Sequence, residues 1–139
     1  MTSSGMKKKK KNLKNSTIFL TYRGNETMKK VIYNIKNERG NAVANQFLMI
    51  EGTNYTFVSY QTTIAILKAG SGAMFINRNV FDYSRTTTRH FLNYLENTLT
   101  AEKPTRKQVE EWIDNGYIPA SENCYNTDID IRLVNEEEF

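Results

Sequence analysis

Between Phe81 and Leu95 the chain reads FDYSRTTTRHFLNYL, with two arginines, the only histidine and three consecutive threonines where a helix is expected to begin. If Ser84 or Thr86 caps that helix, Arg85 and Arg89 fall in or beside its first turn. The amino end of a helix is already positive, so each cation there opposes the dipole by about 0.3–1 kcal/mol. As an i,i+4 pair, the two arginines also repel one another. Hydroxyls of Ser84, Thr86, Thr87 and Thr88, unpaired backbone N–H groups and two guanidinium forks converge on one spot, which is the chemistry of an anion site. A phosphate of a nucleic acid, a nucleotide or a signalling molecule would relieve the charge conflict. Arg78, just after a predicted strand, extends the cluster, and Tyr83 and His90 flank it. The same residues have an internal reading, in which Asp82 pairs with Arg85 or the acidic C-terminal segment (Asp128, Asp130 or Glu136) docks onto the patch. The sequence leaves both open.

Other chemistry finds less support. Tyr55, Phe57, Tyr60, Phe75, Phe81 and Tyr83 gather in and just after the strand region. Aromatics near basic residues can stack nucleobases, although aromatic side chains are also ordinary core and sheet formers. No glycine-rich phosphate loop, GxGxxG, HExxH or GxSxG motif occurs. His90 follows Arg89, whose charge tends to lower its pKa. Cys124 has no base beside it in sequence, and Asp128 and Asp130 read as a solvated strand edge rather than a metal site. We therefore expect neither catalysis, nor a bound metal, nor a cofactor.

The charge of the 139-residue chain is unevenly distributed. Residues 1–14 hold six lysines (Lys7, Lys8, Lys9, Lys10, Lys11 and Lys14) and no acid, residues 15–100 carry +4, and residues 101–139 carry −6. Without its first 14 residues the chain stands at −2, which argues against a surface that coats nucleic acid generally. Residues 1–15 read as a disordered lysine-rich arm, able to bind phosphates or simply solvated. One cysteine excludes an intrachain disulfide and fits a reducing cytoplasm. No apolar run is long enough to span a bilayer, and the basic start lacks the apolar stretch of a secretory leader. We expect a cytoplasmic protein without a membrane partner. Abundant Asn, Lys, Ile and Tyr suggest an AT-rich genome.

The elements that must position the cluster belong to an α+β domain over residues 16–135, with an acidic tail at 136–139. Ile18, Leu20 and Tyr22 alternate with polar neighbours, as do Val31, Tyr33 and Ile35. NERGNAVANQF is open to a short helix or an extended approach. QFLMI and YTFVSY flank EGTN, and TIAILKA and AMFIN flank GSG, giving two hairpins. Together these predict an antiparallel β-meander of five or six short strands. Phe91, Leu92, Leu95 and Leu99 make one apolar helical stripe. A second helix follows in TRKQVEEWIDNG, with Thr105 and Gln108 as a capping box and Gly116 as a left-handed stop. The two helices are expected to pack on one sheet face. TDIDIRLV reads as a final short strand, followed by a frayed end.

The stretches SYQTTIA (Ser59–Ala65) and DYSRTTTRHFLNYL (Asp82–Leu95) resemble a family of small uncharacterised domains from phages and plasmids of Gram-positive bacteria, over about residues 55–95. The resemblance implies a phage or mobile-element accessory protein, with no settled activity to carry over. Compact proteins of that origin are often counter-defence factors, inhibitors of CRISPR nucleases among them. The leading expectation is a non-enzymatic binding protein that occupies a host defence protein or its nucleic acid through the Arg85–His90 cluster. The acidic C-terminal part offers a competing route, imitation of a nucleic-acid backbone. A sponge for a small phosphorylated or nucleotide signalling ligand and a structural virion protein are the alternatives. Oligomeric state is not written in any of these patterns.

Overall fold

A computed structural model of the chain describes residues 17–23 and 26–139, with side chains from residue 29 onward; the lysine arm lies outside the described residues. Six strands follow one another: β1 (Thr17–Arg23), β2 (Glu26–Lys36), β3 (Ala42–Glu51), β4 (Asn54–Ser59), β5 (Thr62–Lys68) and β6 (Ala73–Asn77). Each pairs antiparallel with the next. Then come α1 (Arg85–Thr98), α2 (Arg106–Asn115), the two-residue β7 (Tyr117–Ile118) and β8 (Ile129–Val134). The fold is α+β.

The ambiguous NERGNAVANQF is a tight turn feeding a long strand. The Asn37 side chain accepts from the N–H groups of Arg39 and Asn41, at 2.9 and 3.0 Å, and Gly40 takes a φ of +81° that few other residues tolerate. These local bonds divert the backbone from a helix, so β3 starts at Ala42. β2 and β3, of 11 and 10 residues, exceed the short strands expected.

Among the described residues the sheet has eight strands in the order β1-β2-β3-β4-β5-β6-β8-β7. The final strand does not extend the meander. β8 lies parallel to β6, with Met74 opposite Ile131 and Ile76 opposite Leu133, and β7 pairs antiparallel on its far side. Both helices lie in the connection between these parallel neighbours, as a crossover requires. The acidic end is not frayed in form: Glu136–Glu138 make a 3-10 turn in which Asn135 N–H donates to the Glu138 carboxylate.

Rows of opposed residues build the core. Leu48, Phe57, Ala65 and Ile76 sit across β3 to β6 in register and are all buried. Onto them α1 lays Phe91, Tyr94 and Leu95. The rings of Phe57, Phe91 and Tyr94 are stacked with centroids 5.6–6.4 Å apart, and Phe81 meets Phe91 edge-on at 6.3 Å. Tyr94 is fully buried; its hydroxyl donates to Tyr55 O and accepts from Leu67 N–H, so the polar tip is satisfied on the sheet. α2 joins the core through Val109 and Trp112 but contacts the β7–β8 end of the sheet rather than its middle. The expected capping box is half made. Thr105 Oγ1 accepts from Gln108 N–H, but the Gln108 side chain reaches across to Glu122, which also takes the Trp112 indole N–H. Gly116 closes α2 with φ +85°.

Candidate functional site

Ser84, in extended backbone, caps α1 by accepting from Thr87 N–H at 3.0 Å. That choice sets the helical phase of every residue after it. Thr87 turns inward and is buried, its hydroxyl 2.9 Å from Ser59 Oγ on β4 and within reach of Ser84 Oγ. His90 and Phe91 follow one turn later on the inner side, while Arg85, Thr86 and Arg89 are exposed. No carboxylate lies in the first turn of α1, so the charge conflict read from the sequence is real.

Around this turn lies an open groove of about 370 Å³ lined by Phe81, Asp82, Tyr83, Ser84, Arg85, Thr88, Arg89, Leu92, Lys103 and Arg106. Four cations and one carboxylate share it. Two of the cations, Lys103 before α2 and Arg106 at its start, were not anticipated. Arg106 stacks over the Phe81 ring at 4.6 Å and pairs with Glu110 at 3.3 Å. Phe81 therefore ties the groove floor to the core, with Phe91 on one side and a guanidinium on the other.

The internal counter-ion is neither Asp82 nor the C-terminal segment. Glu38, in the β2–β3 turn, accepts from Arg89 Nη2 and Lys103 Nζ, both at 2.9 Å. These two charge-assisted bonds hold its carboxyl well below the usual carboxylate range and raise the Arg89 pKa in turn. Among the described residues the Arg85 guanidinium has no ion-pair or hydrogen-bond partner, and neither Asp82 nor Asp128, Asp130 or Glu136 pairs with it or with Arg89. Asp128 instead accepts from Ala120 N–H at 2.9 Å.

The other members of the sequence cluster separate. Thr88 and Tyr83 line the groove and Thr86 lies exposed beside it, whereas Thr87 serves the interior. Arg78 does not reach the groove, since its guanidinium donates to Leu133 O and its N–H to Val134 O, closing the β6–β8 end. The Tyr83 hydroxyl is 3.1 Å from Asn77 Nδ2. Of the six aromatics proposed for stacking, Phe57 is buried and Tyr55, Phe75 and Phe81 are half-buried, leaving Tyr60 and Tyr83 exposed. The six lysines of the arm lie outside the described residues.

His90 is buried, and Asn93 Nδ2 lies 3.2 Å from its Nδ1. With the amide nitrogen as donor, this contact suits a neutral imidazole whose Nδ1 accepts. Burial first, and the charge of Arg89 second, push its pKa down. A depressed folded pKa means that the unfolded chain binds the extra proton more readily. Stability from this group is thus complete above the unfolded value of about 6.5 and is lost as pH falls below it. We expect the wild-type unfolding free energy, measured by urea titration, to decline from about pH 7 to 5. His90→Gln should flatten that decline; an identical slope in the variant would remove His90 as its cause.

Among the described residues no helix is long and apolar enough to cross a membrane, and no group of three or more His, Cys, Asp or Glu side chains is placed to hold a metal ion. No curated protein and no solved structure is detectably similar to the chain. Its first 111 residues, less the opening five, match a family of unknown function, DUF8033 (residues 6–111), and the chain belongs to that family.

Proposed function

We propose that the chain is a non-enzymatic binding protein whose groove at the start of α1 takes the phosphates of a nucleic acid, free or carried by a partner complex. The observation that carries this reading is the convergence of Arg85, Arg89, Lys103 and Arg106 on one groove, with Arg85 unpaired among the described residues. The Thr88 hydroxyl on the same wall adds a donor suited to phosphate oxygens, whereas the Ser84 hydroxyl is taken up by Thr87. Glu38 is the native stand-in for the ligand. It neutralises two of the four cations from an exposed turn, so an incoming phosphate competes with a carboxylate that water already screens. A host defence complex that carries nucleic acid, the partner implied by the likeness to phage and plasmid domains, would present such phosphates.

The test is fluorescence anisotropy of labelled DNA and RNA oligonucleotides across a salt series. The wild type is compared with a full-length variant in which the six arm lysines are changed to glutamine. Binding that survives neutralisation of the arm and weakens steeply with salt supports the groove; binding that vanishes with the arm charges rules it out. Glu38→Gln should tighten that binding several-fold by releasing Arg89 and Lys103. Unchanged or weaker binding would show that Glu38 is not a competitor.

A second reading has one observation in its favour: about 370 Å³ falls within the size range of small-molecule pockets. A free nucleotide that displaces the oligonucleotide stoichiometrically at micromolar concentration would favour this ligand-sponge reading.

A further inference from the structure

Strands β4 and β5 are joined by a two-residue turn, Tyr60–Gln61, between the paired Ser59 and Thr62. Hairpins this tight need a positive φ at the first central residue, a place usually taken by Gly, Asn or Asp. Here it is Tyr60, at φ +57°, and its N–H donates to Asn45 O, itself on a residue at φ +64°. A bulky side chain at positive φ is held against its own backbone preference. Core burial does not compensate, because Tyr60 is 58% exposed, the most open large apolar side chain among the described residues.

The turn lies at the groove end of the molecule. Ser59, the residue before it, meets Thr87 of α1 at 2.9 Å, and Thr87 is in turn hydrogen-bonded to the groove-wall residue Ser84. Tyr83, 42% exposed, is anchored at the same end: Asn77 Nδ2 donates both to its hydroxyl and to Thr63 O, just past the turn. Tyr83 thus lines the groove where the cations gather, and Tyr60 stands next in the chain to the β4 hydroxyl that meets the first turn of the same helix.

We infer that Tyr60 is a stacking contact for an unpaired nucleobase whose flanking phosphates occupy the groove, so that the ligand is single-stranded nucleic acid rather than duplex. The inference rests on the nucleic-acid reading of the groove and adds the ligand's strandedness and a base contact. Every base has a π-face, and an aromatic ring beside a cationic track is the general means of holding single strands without sequence readout. A duplex hides those faces within its own stack. The backbone conflict at Tyr60 follows if the ring is kept for contact and not for folding.

The test uses the full chain with three labelled probes: a short oligothymidylate, an abasic oligomer of equal length and a duplex. Tyr60→Gly should melt at or above the wild-type temperature, since glycine suits the turn. It should bind oligothymidylate about tenfold more weakly, the scale of one stacked base. Its salt slope should be unchanged, and it should lose nothing on the abasic oligomer. Tyr60→Phe should retain wild-type affinity. A marked drop in melting temperature for Tyr60→Gly, an equal loss on the abasic probe, or a wild-type preference for duplex would each overturn the inference while leaving the groove intact. Absence of salt-dependent binding to any probe would overturn the groove reading, and this one with it.

Discussion

Phe91→Ala is expected to lower the stability of the fold by about 3–5 kcal/mol, the usual scale for truncating a fully buried aromatic. Phe91 has no exposed surface and stacks with Phe57 and Tyr94 while receiving the edge of Phe81. Two of the three aromatic neighbours cannot refill the gap without breaking a contact: Tyr94 is pinned to β4 and β5 by its hydroxyl, and Phe81 is held from outside by Arg106. Against a total of roughly 5–15 kcal/mol for a domain, urea unfolding should show a greatly reduced midpoint, with a melting temperature down by roughly 10–20 °C. Leu92→Ala is the control. Leu92 is half-buried on the groove wall, and its truncation should cost about 1 kcal/mol or less. Equal losses for the two variants would mean that α1 is not docked by its Phe91 face. Because Phe81 lies between Phe91 and Arg106, the cavity should also loosen the groove floor. Where Phe91→Ala remains folded, it should bind polyanions less well.

Local pattern made much of this molecule legible. Alternating residues marked the strands, the 3.6-residue stripe marked α1, and Thr105 and Gly116 bracketed α2, because each signal is carried by neighbours in the chain. The inward turn of Thr87 and His90 was also within reach. With Ser84 as the cap, Thr87 stands four residues before Phe91 and thus on its face. Hydroxyls adjacent in sequence diverge on a helix, so Thr87 serves the interior while Thr88 lines the groove. Other features depend on contacts far apart in sequence. Glu38 meets Arg89 across 51 residues and Lys103 across 65, and nothing near ERG indicates that its carboxylate will serve α1. The insertion of β8 beside β6 was equally hidden, since alternation fixes which face a strand buries but not its neighbour. Lys103 and Arg106 carried a faint signal, as basic residues bracketing the cap of a helix that follows α1 directly.

Glu38 also answers the question raised by basic residues at a helix start. The fold satisfies one arginine of α1 from within and leaves the other facing solvent. Arg89 belongs to a network that ties the β2–β3 turn to α1 and to the segment before α2, and its loss should loosen that junction as well as reduce charge. Arg85 makes no such contact among the described residues, so its charge opposes the helix dipole with nothing from those residues in return. Stability and binding should therefore respond to it with opposite sign, which separates a functional residue from a structural one.

Arg85→Glu places an anion where the α1 dipole favours one, a gain of about 0.3–1 kcal/mol with a comparable penalty removed, so the melting temperature should rise by a few degrees. Its affinity for oligonucleotides should fall by at least about thirtyfold at low salt. A charge-assisted bond to phosphate contributes roughly 1.5–3 kcal/mol, and the reversed charge adds repulsion. The dependence of log K on log salt should flatten by about 0.7 for a single strand, one phosphate contact's share. Arg85→Lys keeps the charge but loses the fork, so it should fall between the two with the wild-type slope. Arg89→Glu supplies the contrast: it sets a carboxylate against Glu38, and should lose stability and binding together. Calorimetry and anisotropy on these three variants test the groove directly. If Arg85→Glu melts higher and still binds with wild-type affinity and slope, Arg85 contacts no phosphate and the groove is not the site.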